Sequence, residues 1–149
     1  MQSAVSETPA RALLLFIAIL SIIGVILSAV SLERHYAKSE TSFCDFSQKF
    51  SCDIVNRSEY SEVAGIPVAG IGIAGYIALF LFSTLWQSRS ETPTQLLAVA
   101  VAGLLFALYL TYVEAYELKA WCILCLASQL VIFLITVAAA VVKFRVARA

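Results

Sequence analysis

Two pairs of cysteines are the residues in this chain best suited to chemistry. Cys122 and Cys125 form a Cys-x-x-Cys within WCILCLASQ (121–129), and Cys44 and Cys52 bracket CDFSQKFSC (44–52). In a Cys-x-x-Cys pair at the first turn of a helix, one thiolate attacks while its neighbour resolves, and the unpaired N–H groups and dipole of the helix start stabilise that thiolate. The same spacing also serves a static disulfide, half of a zinc site, or small packing residues at a helix interface. A closed zinc site needs four ligands. With no second Cys-x-x-Cys and His35 as the only histidine, it would have to borrow the distant loop cysteines, so no metal site is expected. Taken alone, the Cys44 and Cys52 pair reads as a structural staple. Beside a second dithiol on the same side of a membrane, it reads as the accessible half of a relay.

The elements that must position these sulfurs follow from charge placement. Uncharged apolar runs occupy 12–32, 63–88, 92–113 and 120–142, each near the twenty residues that carry a helix across a hydrocarbon core about 30 Å thick. A chain that is 61% hydrophobic and 13% charged, with a mean hydropathy of +0.90, is not an ordinary soluble domain. The first run is about twice the length of a signal-peptide core and lacks a small-x-small cleavage site, so it reads as a retained helix. The expected fold is an all-α membrane protein: a single domain over 1–149, a four-transmembrane-helix bundle. Its spans are expected at about 12–32, 65–88, 93–114 and 120–142, with one long external loop, 33–62, between helices 1 and 2. Pro67 and Pro93 fit helix starts. Lys and Arg number 10 against 10 Asp and Glu, and nucleotide-binding glycine patterns are absent, so no nucleic acid is expected as a partner.

Four spans put both termini on one face, and the long loop and the 114–119 turn on the other, so all four cysteines share a side. Arg11, Arg89, Lys143, Arg145 and Arg148 lie in short segments at the terminal face, against Arg34, Lys38, Lys49, Arg57 and Lys119 opposite. That density favours cytoplasmic termini, and cycling disulfides belong to an oxidising compartment. The cysteines are therefore expected on the external, periplasmic side. An accessible dithiol and a membrane-edge dithiol on one side make a path from water to lipid.

Cys44 and Cys52, the following GIPVAGIGIAGY (65–76), and WCILCLASQ (121–129) closely resemble the vitamin K epoxide reductase family, from the first span to the last. The resemblance implies a four-helix bundle around a quinone of the ubiquinone or menaquinone type, used as co-substrate. It makes Cys122 and Cys125 the active-site pair that passes electrons to the quinone, with Cys125, deeper along its helix, facing the ring. Cys44 and Cys52 become the shuttle pair that exchanges disulfides with a thioredoxin-like protein. The implied location is the plasma (inner) membrane of a prokaryote. Many prokaryotic members carry a fused thioredoxin-like domain, whereas this chain stops at Ala149, so the partner is expected to be a separate protein. Vertebrate members that reduce the epoxide carry an Asn in the second span and a Tyr four residues beyond the second active-site Cys. Here 63–88 has no Asn and the latter position is Gln129, which favours oxidation of protein thiols coupled to quinone reduction.

For the quinone contacts, Cys122, Cys125 and Gln129 follow i, i+3, i+7 spacing on one helical face. Gln129 either donates to a quinone oxygen or bonds a neighbouring helix. Tyr109 and Tyr112 are candidates to stack on the ring, with Tyr116 nearer an interfacial aromatic belt. Gly65, Ala69, Gly72 and Gly75 make a small face for close helix packing or for a flat ring. Glu114 and Glu117 are placed to help deliver protons to a reduced quinone, but their position beside the interface reads more simply as a solvated helix end, and His35 reads as a loop residue. Other readings of the chain remain: a thiol-based carrier of soft metal ions of the mercury type, a tetraspan protein with two structural staples, or a vitamin K epoxide and quinone reductase proper. The other quinone-linked family that generates disulfides places its Cys-x-x-Cys in the first external loop, the reverse of the order here.

Overall fold

The computed structural model describes residues 2–36, 59–85, 92–119 and 121–148, so Cys44 and Cys52 lie outside the described residues. Four helices account for most of them: α1 (Gln2–Tyr36), α2 (Val68–Thr84), α3 (Thr92–Tyr112) and α4 (Ile123–Arg148). Among the described residues, three segments are long and apolar enough to cross a membrane, Arg11–Tyr36, Thr92–Leu118 and Ile123–Arg145, and Val68–Thr84 is a shorter apolar helix. At 17 residues α2 measures about 26 Å, slightly less than a typical hydrocarbon core.

The helices follow the apolar runs, and the differences lie at their ends. The first helix continues past Glu33 to Tyr36, so His35 belongs to its last turn rather than to a loop. The second begins only at Val68, with Pro67 capping it at φ −59°. Residues 65–67, expected in the span, instead belong to a small hairpin in which Glu62–Val63 (β1) pairs antiparallel with Ile66–Pro67 (β2). Its two turn residues, Ala64 and Gly65, have φ of 53° and 82°, the left-handed pair that matches strand twist in a two-residue hairpin. Gly65 therefore serves the turn, not a helix face. The third helix does not end where the charges begin. It widens into a π-helical turn, Val113–Leu118, and stops at Lys119, whose φ of 52° reverses the chain toward the cysteines.

Packing closes a ring in which α1 touches α2 and α4, and α3 touches α2 and α4. The dense core, built on Ile17, Leu79, Leu96, Ala100, Ile135 and Ala139, sits toward the chain termini. There Thr136 donates to the Ala100 carbonyl at 3.2 Å, tying α4 to α3. Close approach of α1 and α2 depends on glycine. A Cβ on Gly24 would overlap the Tyr76 ring, and one on Gly72 would stand 2.8 Å from Ser28 Oγ. Leu15, Ile26, Leu105, Leu130 and Phe133 point outward, exposed. Helices apolar on both inner and outer faces suit a lipid surround. Away from that core a second cluster forms around Cys122 and Leu124.

Candidate active site

The cysteine pair is set by the way α4 starts. Cys122 holds the N-cap position, its carbonyl accepting the Leu126 N–H at 2.9 Å as the first bond of the helix. Its side chain is fully buried, whereas Cys125, one turn on, is partly exposed. Both are free cysteines in the structure, close enough for their thiols to interact. Cys122 precedes the apolar segment Ile123–Arg145. Its thiol is held below the ordinary thiol range chiefly by that interaction with the Cys125 thiol, helped by the N–H groups of Cys125 and Leu124. Burial and the nearby Glu114 oppose the shift.

Glu114 is the residue the sequence misplaced. Far from being a solvated end, it is 2% exposed, and its Oε2 accepts the Cys122 backbone N–H at 3.2 Å. The same side chain is close enough to the Cys125 thiol to interact with it. Glu117, on the same turn, is exposed as expected. The signal was available. Gly103, Ala107, Leu110 and Glu114 continue one stripe at i+4, i+7 and i+11, so the inward face of α3 carries on through the first charged residue.

Between the four helices lies a cavity of about 350 Å³, within the usual range of small-molecule sites. Leu79, Val99, Phe106 and Ile132 supply apolar walls. Cys125, Glu114 and Thr111 meet it on one side, Tyr76 and Ser128 on another, and Ser28, Ser31 and His35 along α1. His35 Nε2 lies 3.0 Å from Glu62 Oε1, and its Nδ1 lies 3.2 Å from Ser61 Oγ. The hairpin end is thereby joined to the end of α1 beside the cavity. His35 went unnoticed as a site residue, although Ser28, Ser31 and His35 form an i, i+3, i+7 polar stripe in an otherwise apolar helix.

Other expected contacts are not brought together. Tyr109 and Tyr112 are 52% and 55% exposed on the outer face of α3 and do not line the cavity. Tyr112 instead packs against Tyr116 with centroids 5.0 Å apart. Gln129 faces α3, where its Oε1 accepts from the Thr111 hydroxyl, in a groove separate from the cavity. Of Cys125, Gln129, Tyr109 and Tyr112, Cys125 alone lines the cavity, whereas Ala69, Gly72 and Gly75 of the small face do line it. Among the described residues no group of three or more His, Cys, Asp or Glu is placed to hold a metal ion.

A sequence model of the Vitamin K epoxide reductase family matches residues 15–140. The chain belongs to that family. The match runs from within α1 to within α4 and encloses all four cysteines, which upholds the resemblance carried by the cysteine pattern. Vitamin K epoxide reductase family members are membrane oxidoreductases of thiols, disulfides and quinones. The apolar helices agree with an integral membrane protein.

Proposed function

We propose that this protein oxidises the thiols of a thioredoxin-like partner and passes the electron pair through two cysteine pairs to a membrane quinone of the ubiquinone or menaquinone type. In this reading all four helices span the membrane of a prokaryote, with both termini in the cytoplasm and the cysteines outside. One observation carries it: Cys125 stands in the wall of a largely apolar cavity while its partner sulfur, Cys122, sits behind it at the helix start.

The reaction divides into two exchanges and one oxidation. A partner thiolate attacks the Cys44–Cys52 disulfide, and a second partner thiol completes the partner's disulfide and leaves Cys44 and Cys52 reduced. That dithiol reduces a Cys122–Cys125 disulfide by the same two-step exchange. Cys122 and Cys125 then give two electrons and two protons to the quinone, forming one S–S bond and one quinol. The depressed Cys122 thiol suits attack and exchange. Cys125 lines the cavity and suits contact with the ring.

Purified protein in lipid, given a reduced thioredoxin-like protein or a small membrane-permeant dithiol, tests the reading through quinone absorbance. Cys122→Ala and Cys125→Ala should abolish quinone reduction with both donors. Cys44→Ala and Cys52→Ala should stop turnover with the protein donor but leave activity with the small dithiol. Equal loss with both donors would remove the two-stage relay.

A further inference from the structure

Resting on the function proposed above, we infer that Glu114 is the proton-transfer residue of quinone reduction, receiving protons from the cysteine pair and delivering them into the cavity. Its surroundings single it out. Its carboxylate is almost fully buried, its Oε2 accepts the Cys122 backbone N–H at 3.2 Å, and it lines the same cavity as Cys125. The Cys125 thiol is close enough to interact with both the Glu114 carboxyl and the Cys122 thiol. Both thiols and the carboxyl group thus meet where the start of α4 borders the cavity.

The stoichiometry of the reaction calls for such a group. Converting a dithiol and a quinone to a disulfide and a quinol moves two electrons and two protons. Electrons cross from sulfur to ring, but protons need acceptors within hydrogen-bond reach. The Cys125 proton passes to Glu114 and from it to one quinone oxygen, which restores the carboxylate. The Cys122 proton follows through Cys125 and Glu114 to the second oxygen as the S–S bond closes. Glu114 ends each cycle as it began, and the sum is one disulfide and one quinol. Among the described residues, the other ionisable groups lining the cavity are Tyr76, whose hydroxyl donates to the Ser128 carbonyl at 2.8 Å, and His35, engaged with Glu62 and Ser61. A carboxylate this buried in an apolar helix is expensive to keep and marks function. Accepting one backbone N–H is a duty that an amide oxygen performs as well.

That last point supplies the test. Glu114→Gln keeps the size of the side chain and an oxygen for the Cys122 N–H but removes the proton acceptor. With a small dithiol as donor, its kcat for quinone reduction should fall on the order of 100-fold. Quinone KM, thermal stability and the rate of disulfide exchange with the partner should stay near parent values. Glu117→Gln, the exposed neighbour, should match the parent throughout. Parental kcat in Glu114→Gln overturns the assignment. A kcat loss accompanied by an equal loss of disulfide exchange also overturns it, because the residue would then be holding the cysteines rather than moving protons. Should the Gln variant fail to fold, time-resolved infrared spectra of the parent decide: a transient protonated-carboxyl band during quinone reduction, displaced in Glu114→Asp, is expected, and its absence overturns the proposal. If the parent itself reduces no quinone with any dithiol, the underlying function is what has failed. A parent that turns over beside an unimpaired Glu114→Gln refutes the role of Glu114 alone.

Discussion

The Tyr76 hydroxyl donates to the Ser128 carbonyl at 2.8 Å and lies 2.7 Å from the Ser128 hydroxyl, joining α2 to α4 in the cavity wall. The ring of the same tyrosine fills the space left by the missing side chain of Gly24 on α1. Tyr76 therefore fixes three helices relative to one another beside the cavity.

Two substitutions probe this junction. Tyr76→Phe removes the hydroxyl and should lower stability by about 1 kcal/mol, the scale of an interhelical hydrogen bond in lipid. Gly24→Ala places a Cβ into the ring and should destabilise by roughly 1–3 kcal/mol, the range for overpacking a filled core. Thermal melts in detergent or lipid measure both, and a Gly24→Ala protein as stable as the parent would mean that α1 and α2 can separate without loss.

Gln129 now has a definite expectation. With its Oε1 accepting from Thr111, Gln129→Leu should cost on the order of 1 kcal/mol of stability while leaving quinone KM unchanged at a permissive temperature. A weakened KM with an unaltered melting temperature would return Gln129 to the quinone site. Sequence spacing could not separate these outcomes, because a membrane helix has two inward directions, one to the cavity and one to its neighbour. On α4 the cavity takes Cys125, Ser128 and Ile132. At about 100° per residue, Gln129 sits about 40° from Cys125, on the side away from Ser128, which is enough to turn it toward α3.

The outer aromatics follow the same geometry. At about 100° per residue, Tyr109 sits about 100° and Tyr112 about 160° around the helix from Leu110, so both fall off the inward stripe of α3. Tyr109→Leu and Tyr112→Leu should leave kcat and quinone KM at parent values, and a tenfold rise in KM for either would place the ring on the lipid-facing side of α3. Much of the fold was legible because apolar runs and charges mark helices directly, and the Cys-x-x-Cys marked a helix start. Glu114 was lost for the converse reason. A charge reads as the end of a span, yet the π-helical turn Val113–Leu118 carries this one inward to a buried position, where the stripe through Gly103, Ala107 and Leu110 continues. The place of Gly65 in a hairpin turn was likewise hidden, since its neighbours are as apolar as a helix.

Gly75 offers the most direct probe of the cavity. It lines the space, and a Cβ built on it meets nothing within 4 Å, unlike Gly24 and Gly72, whose room is already taken. In a helix interior, replacing Gly by Ala gains roughly 0.5–1 kcal/mol of helix preference, so Gly75→Ala should raise the melting temperature slightly and perturb catalysis little. Gly75→Leu should also fold, because its side chain enters open volume rather than packed core, but it occupies the space proposed for the quinone ring. Quinone KM should then rise about tenfold or more, equivalent to about 1.4 kcal/mol of lost binding, while disulfide exchange with the partner continues at the parent rate. Stability and KM measured on one preparation separate the alternatives. A stable Gly75→Leu protein with parental KM would show that the quinone binds elsewhere, and a destabilised one that the cavity closes in the working protein.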